Sequence, residues 1–292
     1  MSNLKIIESI YHPYKITLKG NCQIIESSTG KFVLKKQNKD LFTLYSYLSS
    51  RGLEIYPSLI RNFNEEDNLQ EYLTSINIPF EQYLNEMAKT LAELHSKTSY
   101  EKTISEDEIK EIKENIDNNI YYLKNKYHSI IRKTILTEYL SPKEYYFIRN
   151  YHKIEEALDF CLKENNNLYL EIKNNKTIRV SLLHNNLSLD HFIITPNKNA
   201  FISWDNYRFD LPLLDIVSFY QKNYNLNFPS FLNTYFNIFP YLESEKKLLF
   251  ILLSIPDNID IENDFKILIN QIQKVYSTEE LIRPYYPENK EE

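Results

Sequence analysis

Two short stretches in the second half of the chain concentrate the side chains able to do chemistry. From Leu182 to Ile194 the sequence reads Leu-Leu-His-Asn-Asn-Leu-Ser-Leu-Asp-His-Phe-Ile-Ile. Seventeen residues past Asn186 comes Ser203, inside Ile202-Ser203-Trp204-Asp205, and then Asp210-Leu211-Pro212-Leu213-Leu214-Asp215. General base catalysis needs a lone pair that is basic near neutral pH, and the neutral amide of Asn186 has none. Magnesium needs anionic oxygen to offset its dehydration; Ser203 brings a neutral hydroxyl, and the imidazole of His191 suits softer metals better. Carboxylates stand beside both: Asp190 next to His191, and Asp205 two residues past Ser203. On a strand, Asp205 and Ser203 would point to the same side, roughly 6–7 Å apart. A metal cradled by Asp190 and Asp205 in a shifted geometry is therefore one chemistry that the spacing permits.

A counterpart for an anionic ligand lies near the amino terminus. Lys35, with Lys36 beside it, closes the alternating run Lys31-Phe32-Val33-Leu34-Lys35. It reads equally as a lysine facing a phosphate and as a solvated lysine at a strand end. Lys19-Gly20-Asn21-Cys22 precedes it at a turn, and a single glycine is a weak phosphate cradle.

The elements that must position these groups follow from periodicity. Residues 1 to 78 read as short strands around one helix. Tyr14–Leu18, Asn21–Glu26 and Lys31–Lys35 alternate polar and apolar, and Leu59–Asn62 with Leu69–Leu73 forms a further pair. Leu41, Leu44, Tyr45 and Leu48 recur at helical spacing over Asp40–Ser50, with Gly52 placed for a left-handed stop. After Pro79 long helices take over, one carrying Tyr83, Leu84, Met87, Leu91, Leu94 and His95. Ser105 with Glu108, and Ser141 with Glu144 behind Pro142, are capping boxes that open two more. Ile109, Ile112, Ile116, Ile120, Leu123 and Tyr127 stripe the first of these. The period returns to two at Ile178–Leu183, at His191–Thr195 and at Ala200–Trp204, the last two joined across Pro196–Asn199. Helices resume from Leu213 to about Ser277, and the charged tail from Pro284 reads as disordered. The order implies an α+β fold with a β-rich part over 1–78 and a helical part over 79–292.

Composition sets outer bounds. Among 292 residues there are only three glycines, against a usual share of about 7%, so a glycine-rich phosphate grip is missing. The formal net charge of −6 gives no basic footprint for nucleic acid or anionic lipid. Cys22 and Cys161 are far apart and outside any CxxC spacing, which disfavours a zinc site and a structural disulfide. Met1–Glu8 lacks the apolar core of a secretion signal. The most apolar run, Leu248–Leu253, is far short of the ~18 residues of a membrane span. A cytoplasmic protein without nucleic-acid or membrane partners is the expectation.

The loop, its hairpin and the acidic motif after it resemble the aminoglycoside phosphotransferase and choline kinase superfamily, most of all its spore-coat-associated kinase-like proteins. Glu93-Leu94-His95-Ser96 is similar to that family's helix end, and Leu249–Pro256 to its late helix ending in proline. The resemblance implies a two-lobed protein-kinase-like fold. It also assigns roles by position. Asn186 stands where the family has its catalytic Asp, His191 where it has a magnesium-coordinating Asn, and Ser203 where it has the Asp bridging magnesium to the phosphates. Lys35 falls at the nucleotide-phosphate lysine, and the helix over 40–50 lacks the glutamate that would pair with it. The family's acid at the Asp205 position, its structural histidine at His184 and its loop-anchoring Asp at Asp215 are kept. With all three catalytic positions replaced, the resemblance implies a degenerate kinase, a binding or scaffolding module that needs no cofactor. Its expected partners are a nucleotide or small metabolite in the cleft and a protein. Two alternatives stay open: an active ATP- and magnesium-dependent phosphotransferase on a small hydroxylated substrate, working through Asp190 or Asp205, and a structural role at a spore coat.

Overall fold

Alternation in the first eighty residues resolves into one antiparallel sheet, preceded by a helix that the periodicity had not announced. The computed structural model describes residues 3–36, 39–63 and 67–286. Helix α1 (Asn3–Tyr11) leads into β1 (Lys15–Lys19), β2 (Cys22–Ser27), β3 (Gly30–Lys36), α2 (Leu41–Ser50), β4 (Leu59–Phe63), β5 (Asp67–Glu71) and α3 (Phe80–Thr98). Then come β6 (Tyr100–Thr103), α4 (Glu106–Ile135), α5 (Pro142–Asn175), β7 (Thr177–Leu183), β8 (Phe192–Ile194), β9 (Asn199–Phe201) and β10 (Arg208–Asp210). Helices α6 (Leu213–Asn223), α7 (Phe228–Ile238), α8 (Glu243–Ser254) and α9 (Phe265–Ile282) complete the order. The chain divides into two compact units, Met1–Ser99 with Ser181–Asp210, and Tyr100–Val180 with Leu211–Glu292.

In the first unit the sheet runs β1-β2-β3-β5-β4. Because residues opposite one another share a face, Ile25, Phe32, Leu34 and Leu69 all fall on one side. There they meet Ile6, Ile7 and Tyr11 of α1 in a small core. The opposite face carries Cys22 and Ile24 against Lys35 and Val33. Helix α2 starts on Asp40, whose carboxylate accepts from the amides of Phe42 and Thr43 at 3.0 and 3.2 Å. It ends in a Schellman stop: Gly52 has φ +67°, and the Leu53 amide reaches back to Leu48 O at 3.0 Å. The β8–β9 hairpin closes on Thr195, whose hydroxyl accepts from the Lys198 amide at 3.0 Å. Strand β10 pairs with the last three residues of β7.

The second unit is helical. Both capping boxes form as the sequence predicts, Ser105 with Glu108 and Ser141 with Glu144. The apolar stripes of α4 and α5 bury Ile116, Ile120, Leu123, Phe147, Ile154 and Leu158, and α8 buries most of its apolar run. Asp215 is buried in the first turn of α6. Among the described residues no helix is long and apolar enough to cross a membrane.

Two expectations are corrected. The strand expected over Ala200–Trp204 ends at Phe201. Ser203 adopts a left-handed conformation (φ +65°) and Trp204–Asn206 form a 3-10 turn, because the indole of Trp204 is drawn into the core and donates to Phe201 O at 2.8 Å. The tail is ordered for longer than its charge suggests. Arg283–Tyr285 form a 3-10 turn, and the ring of Tyr286 packs edge-on against Phe160 at 5.0 Å. Residues 287–292 lie outside the described residues.

Candidate active site

The site is built within the first unit, where the loop after β7 comes under the sheet's open face. Polar loops are held by whatever satisfies their backbone groups, and here side chains do it. His184 is fully buried, and its Nε2 lies 2.8 Å from Ile202 O. A carbonyl only accepts, so Nε2 carries the proton. The same ring stands edge-on to Trp204 at 4.7 Å. From α3, the Tyr83 hydroxyl lies 2.5 Å from Leu189 O and 2.7 Å from Phe192 O. Burial, with the nearby charge of Asp190, pushes that phenol up to about 12, so it remains a neutral donor. Tyr83 was read from sequence only as part of an apolar stripe.

Along the loop, His191 Nδ1 lies 2.8 Å from the carbonyl of Asn186 and must donate to it. When neutral, the ring then presents only Nε2 as an acceptor. The Asn186 amide points to Ser203 O at 3.5 Å, a long contact. Asn186, His191 and Ser203 are thus linked, but through backbone carbonyls and not around a common point.

A cavity of about 500 Å³ opens between the sheet and this loop. Lys19 and Lys35 line it from the sheet, with Asp190, His191 and Ser203 from the loop. Neither Asn186 nor Asp205 is in its wall. Gly20, at φ +57°, makes the tight turn between β1 and β2 and has open space where a Cβ would stand. Sequence reasoning left out Ile24, Val33 and Gln70, which also line the cavity. Their signal was the two-residue alternation that sets them on the same face as Lys35.

Asp205 is not beside Ser203 on a strand. The 3-10 turn swings it onto Lys35, and the two form an ion pair with both side chains 18% exposed. Helix α2 has no carboxylate to offer. It offers Tyr45, buried, stacked on Tyr56 at 4.1 Å and pushed far up in pKa by burial and by the charge of Asp205. Lys35 therefore takes its counterion from the turn. Cys22, on the same face, has its thiol pushed up by burial, an effect that Lys35 partly offsets.

The donor set fits magnesium poorly. It consists of a hydroxyl, an imidazole already bonded through Nδ1, an amide directed at a carbonyl and one loop carboxylate, Asp190, while Asp205 is held by Lys35. Among the described residues no three His, Cys, Asp or Glu side chains gather in a way that could hold a metal ion.

No protein-family model matches the chain, and no curated protein matches it in sequence. Solved structures do. An aminoglycoside phosphotransferase from Alicyclobacillus acidocaldarius superposes with a TM-score of 0.69 at 10% identity, covering 96% of this chain and 93% of its own. A spectinomycin phosphotransferase, solved with ADP and spectinomycin, gives 0.53 at 11% identity over 94% and 97%. A choline kinase from Streptococcus pneumoniae gives 0.48 at 14% identity. The first two carry the fold assignment: a protein-kinase-like α+β fold with a small antiparallel sheet and a large helical part, as the sequence resemblance implied.

Proposed function

We propose that this chain is a kinase-fold protein that has lost phosphoryl transfer and acts by binding, holding a nucleotide or small metabolite in the cleft as a module for a protein partner. The observation that carries this reading is the Lys35–Asp205 ion pair. In a working site the lysine of this strand faces phosphates and the acids of the loop face magnesium. Here the lysine and the acid neutralise each other, and the loop offers His191 and Ser203 in their place. A general base alone is worth about 10²- to 10⁴-fold, and loss of the metal ligands compounds that. The spectinomycin phosphotransferase of the same fold was solved with ADP, which makes a nucleotide the first ligand to try.

The test is thermal melting with ATP, with and without magnesium. A ligand at 100 times its Kd stabilises by about 2.7 kcal/mol. The expected shift with ATP is small and the same in both conditions. A large shift appearing only when magnesium accompanies ATP overturns the reading.

A second reading rests on Asp190, whose carboxylate is in the cavity wall beside His191: an active phosphotransferase on a small hydroxylated substrate, with a rearranged site. It requires turnover at a kinase rate, on the order of 1 s⁻¹ or more, that Asp190→Ala abolishes. A third reading, a structural protein at a spore coat, rests on the family resemblance alone, and fractionation of spores with antibody detection tests it.

A further inference from the structure

The five-stranded sheet of the first unit has an open edge. Strand β1 stands at the end of the order β1-β2-β3-β5-β4, and it is exposed along its whole length. An antiparallel strand bonds to one neighbour through the amide and carbonyl of every other residue. Among the described residues, the alternate groups of β1 therefore meet no strand. Lys15–Lys19 contains no proline, and its pairing with β2 runs without a shift. A straight, uncovered edge of this kind is a template for a strand from another chain.

The two faces of β1 differ. Ile16 stands opposite Ile25, which is fully buried in the core that α1 completes. From that core the apolar face of the sheet runs outward to Ile16 and Leu18, which are 39% and 74% exposed. The other face carries Lys15, Thr17 and Lys19. Lys15 shares Glu26 with Lys31, at 3.8 and 3.5 Å, and Lys19 has no ion pair among the described residues. No acid lies between Glu8 and Glu26 in the sequence, so this edge is positive in a protein whose formal net charge is −6.

Those charges decide between occupants. A second copy pairing antiparallel about Thr17 would set Lys15 against Lys19 twice, and like charges directly opposite one another destabilise a ladder. A strand with acids at the same places gains where the second copy loses. We propose that β1 takes up an extended segment of an acidic protein partner as a sixth strand, with acids opposite Lys15 and Lys19 and apolar residues opposite Ile16 and Leu18. The inference rests on the protein partner of the binding reading above, but not on the state of the cleft. A chain that turned ATP over would present the same edge, and the test here involves no nucleotide. So short a strand covers less than the ~1,200 Å² of a stable interface, so the association is weak and reversible.

The test titrates the full chain into a labelled, capped peptide, Glu-Val-Thr-Val-Glu, and reads fluorescence anisotropy. A counterpart with both glutamates changed to lysine should bind about tenfold more weakly, because two opposite-charge pairs become two like-charge pairs. Lys15→Glu with Lys19→Glu in one chain should reverse that preference. A third peptide, methylated at all its backbone amides, keeps the charges but cannot pair as a strand, and should show no binding. The amides of β1 should exchange their hydrogens more slowly when the first peptide is bound. No saturable binding of that peptide to the folded wild type overturns the proposal. So does binding that methylation or the change to lysine leaves as tight, or a preference that the charge reversal leaves unchanged. A dimer of the chain alone that Leu18→Lys dissolves would put a second copy on the edge, and overturns it as well.

Discussion

Lys35 and Asp205 are charges withdrawn from most of the solvent, so each depends on the other. Removing one strands its partner: Lys35→Ala or Asp205→Ala should destabilise by about 1–3 kcal/mol. The double substitution should cost less than the sum, because no lone charge remains. Urea unfolding of the wild type and these three variants measures this coupling. The proposed loss of phosphoryl transfer supports a second prediction, in which Asn186→Asp, His191→Asn and Ser203→Asp are made in one chain. Ser203 is left-handed, a conformation Asp tolerates better than most residues, and Asn at 191 can still donate to the carbonyl of residue 186. Each single change should do little, and the triple should gain magnesium-dependent affinity for ATP, because groups of this kind act as a unit. Calorimetric titration of magnesium-ATP reads it, and a triple variant indifferent to magnesium counts against the assignment of these positions. That Asn186, His191 and Ser203 belong to one constellation was legible in the sequence. Their bonding was not, since a bond from His191 to the carbonyl of Asn186, or an ion pair between residues 35 and 205, leaves no mark on local spacing.

Element ends carry predictions that do not depend on any ligand. Gly52 is followed by open space, the nearest atom to an added Cβ being Lys97 Nζ at 4.0 Å. Gly52→Ala should therefore cost about 1 kcal/mol, from backbone conformation alone, read as a lowered urea midpoint. At the end of β5, Glu71 accepts from the amide and hydroxyl of Ser58 at 2.8 and 3.1 Å and pairs with Lys198. Burial alone would raise its carboxyl, but these bonds outweigh it and hold the group below its usual value. A depressed carboxylate contributes stability that is present above its unfolded pKa, near 4.5, and is lost as the pH falls through the folded one. Wild-type stability should thus drop on acidification below about pH 5, and Glu71→Gln should remove part of that slope. Melting between pH 7 and 3 is the measurement. Caps and stripes were readable because each is a local pattern: Ser105 with Glu108, Ser141 with Glu144, Gly52 after the helix. β6 and β10 were not, because Tyr100–Thr103 is exposed along its whole length and β10 has three residues, too few to show a period. The left-handed residue at 203 gave no warning either, since it is a serine and neither glycine nor asparagine.

For the molecule as a whole, the two compact units carry different optical reporters. Trp204, the one tryptophan, is buried in the first unit, whereas the long helices α4 and α5 belong to the second. A ligand of the cleft should raise the midpoint seen by tryptophan fluorescence more than the midpoint seen by circular dichroism at 222 nm. Equal shifts in both would mean that the units unfold as one. The boundary within β7, between Val180 and Ser181, also governs the order in which the protein can be made. The sheet that shapes the cleft is translated first, but its unit lacks the loop and hairpin of residues 181–210 until the intervening 81 residues have left the ribosome. At about 5–20 residues per second that is a wait of roughly 4–16 s. During that time the open face of the sheet, with Ile24 and Val33 on it, has no loop beneath it, while α4 and α5 are themselves emerging and can pair with each other. A nascent chain stalled between residues 100 and 180 should accordingly be a better client for a chaperone than one stalled after residue 210.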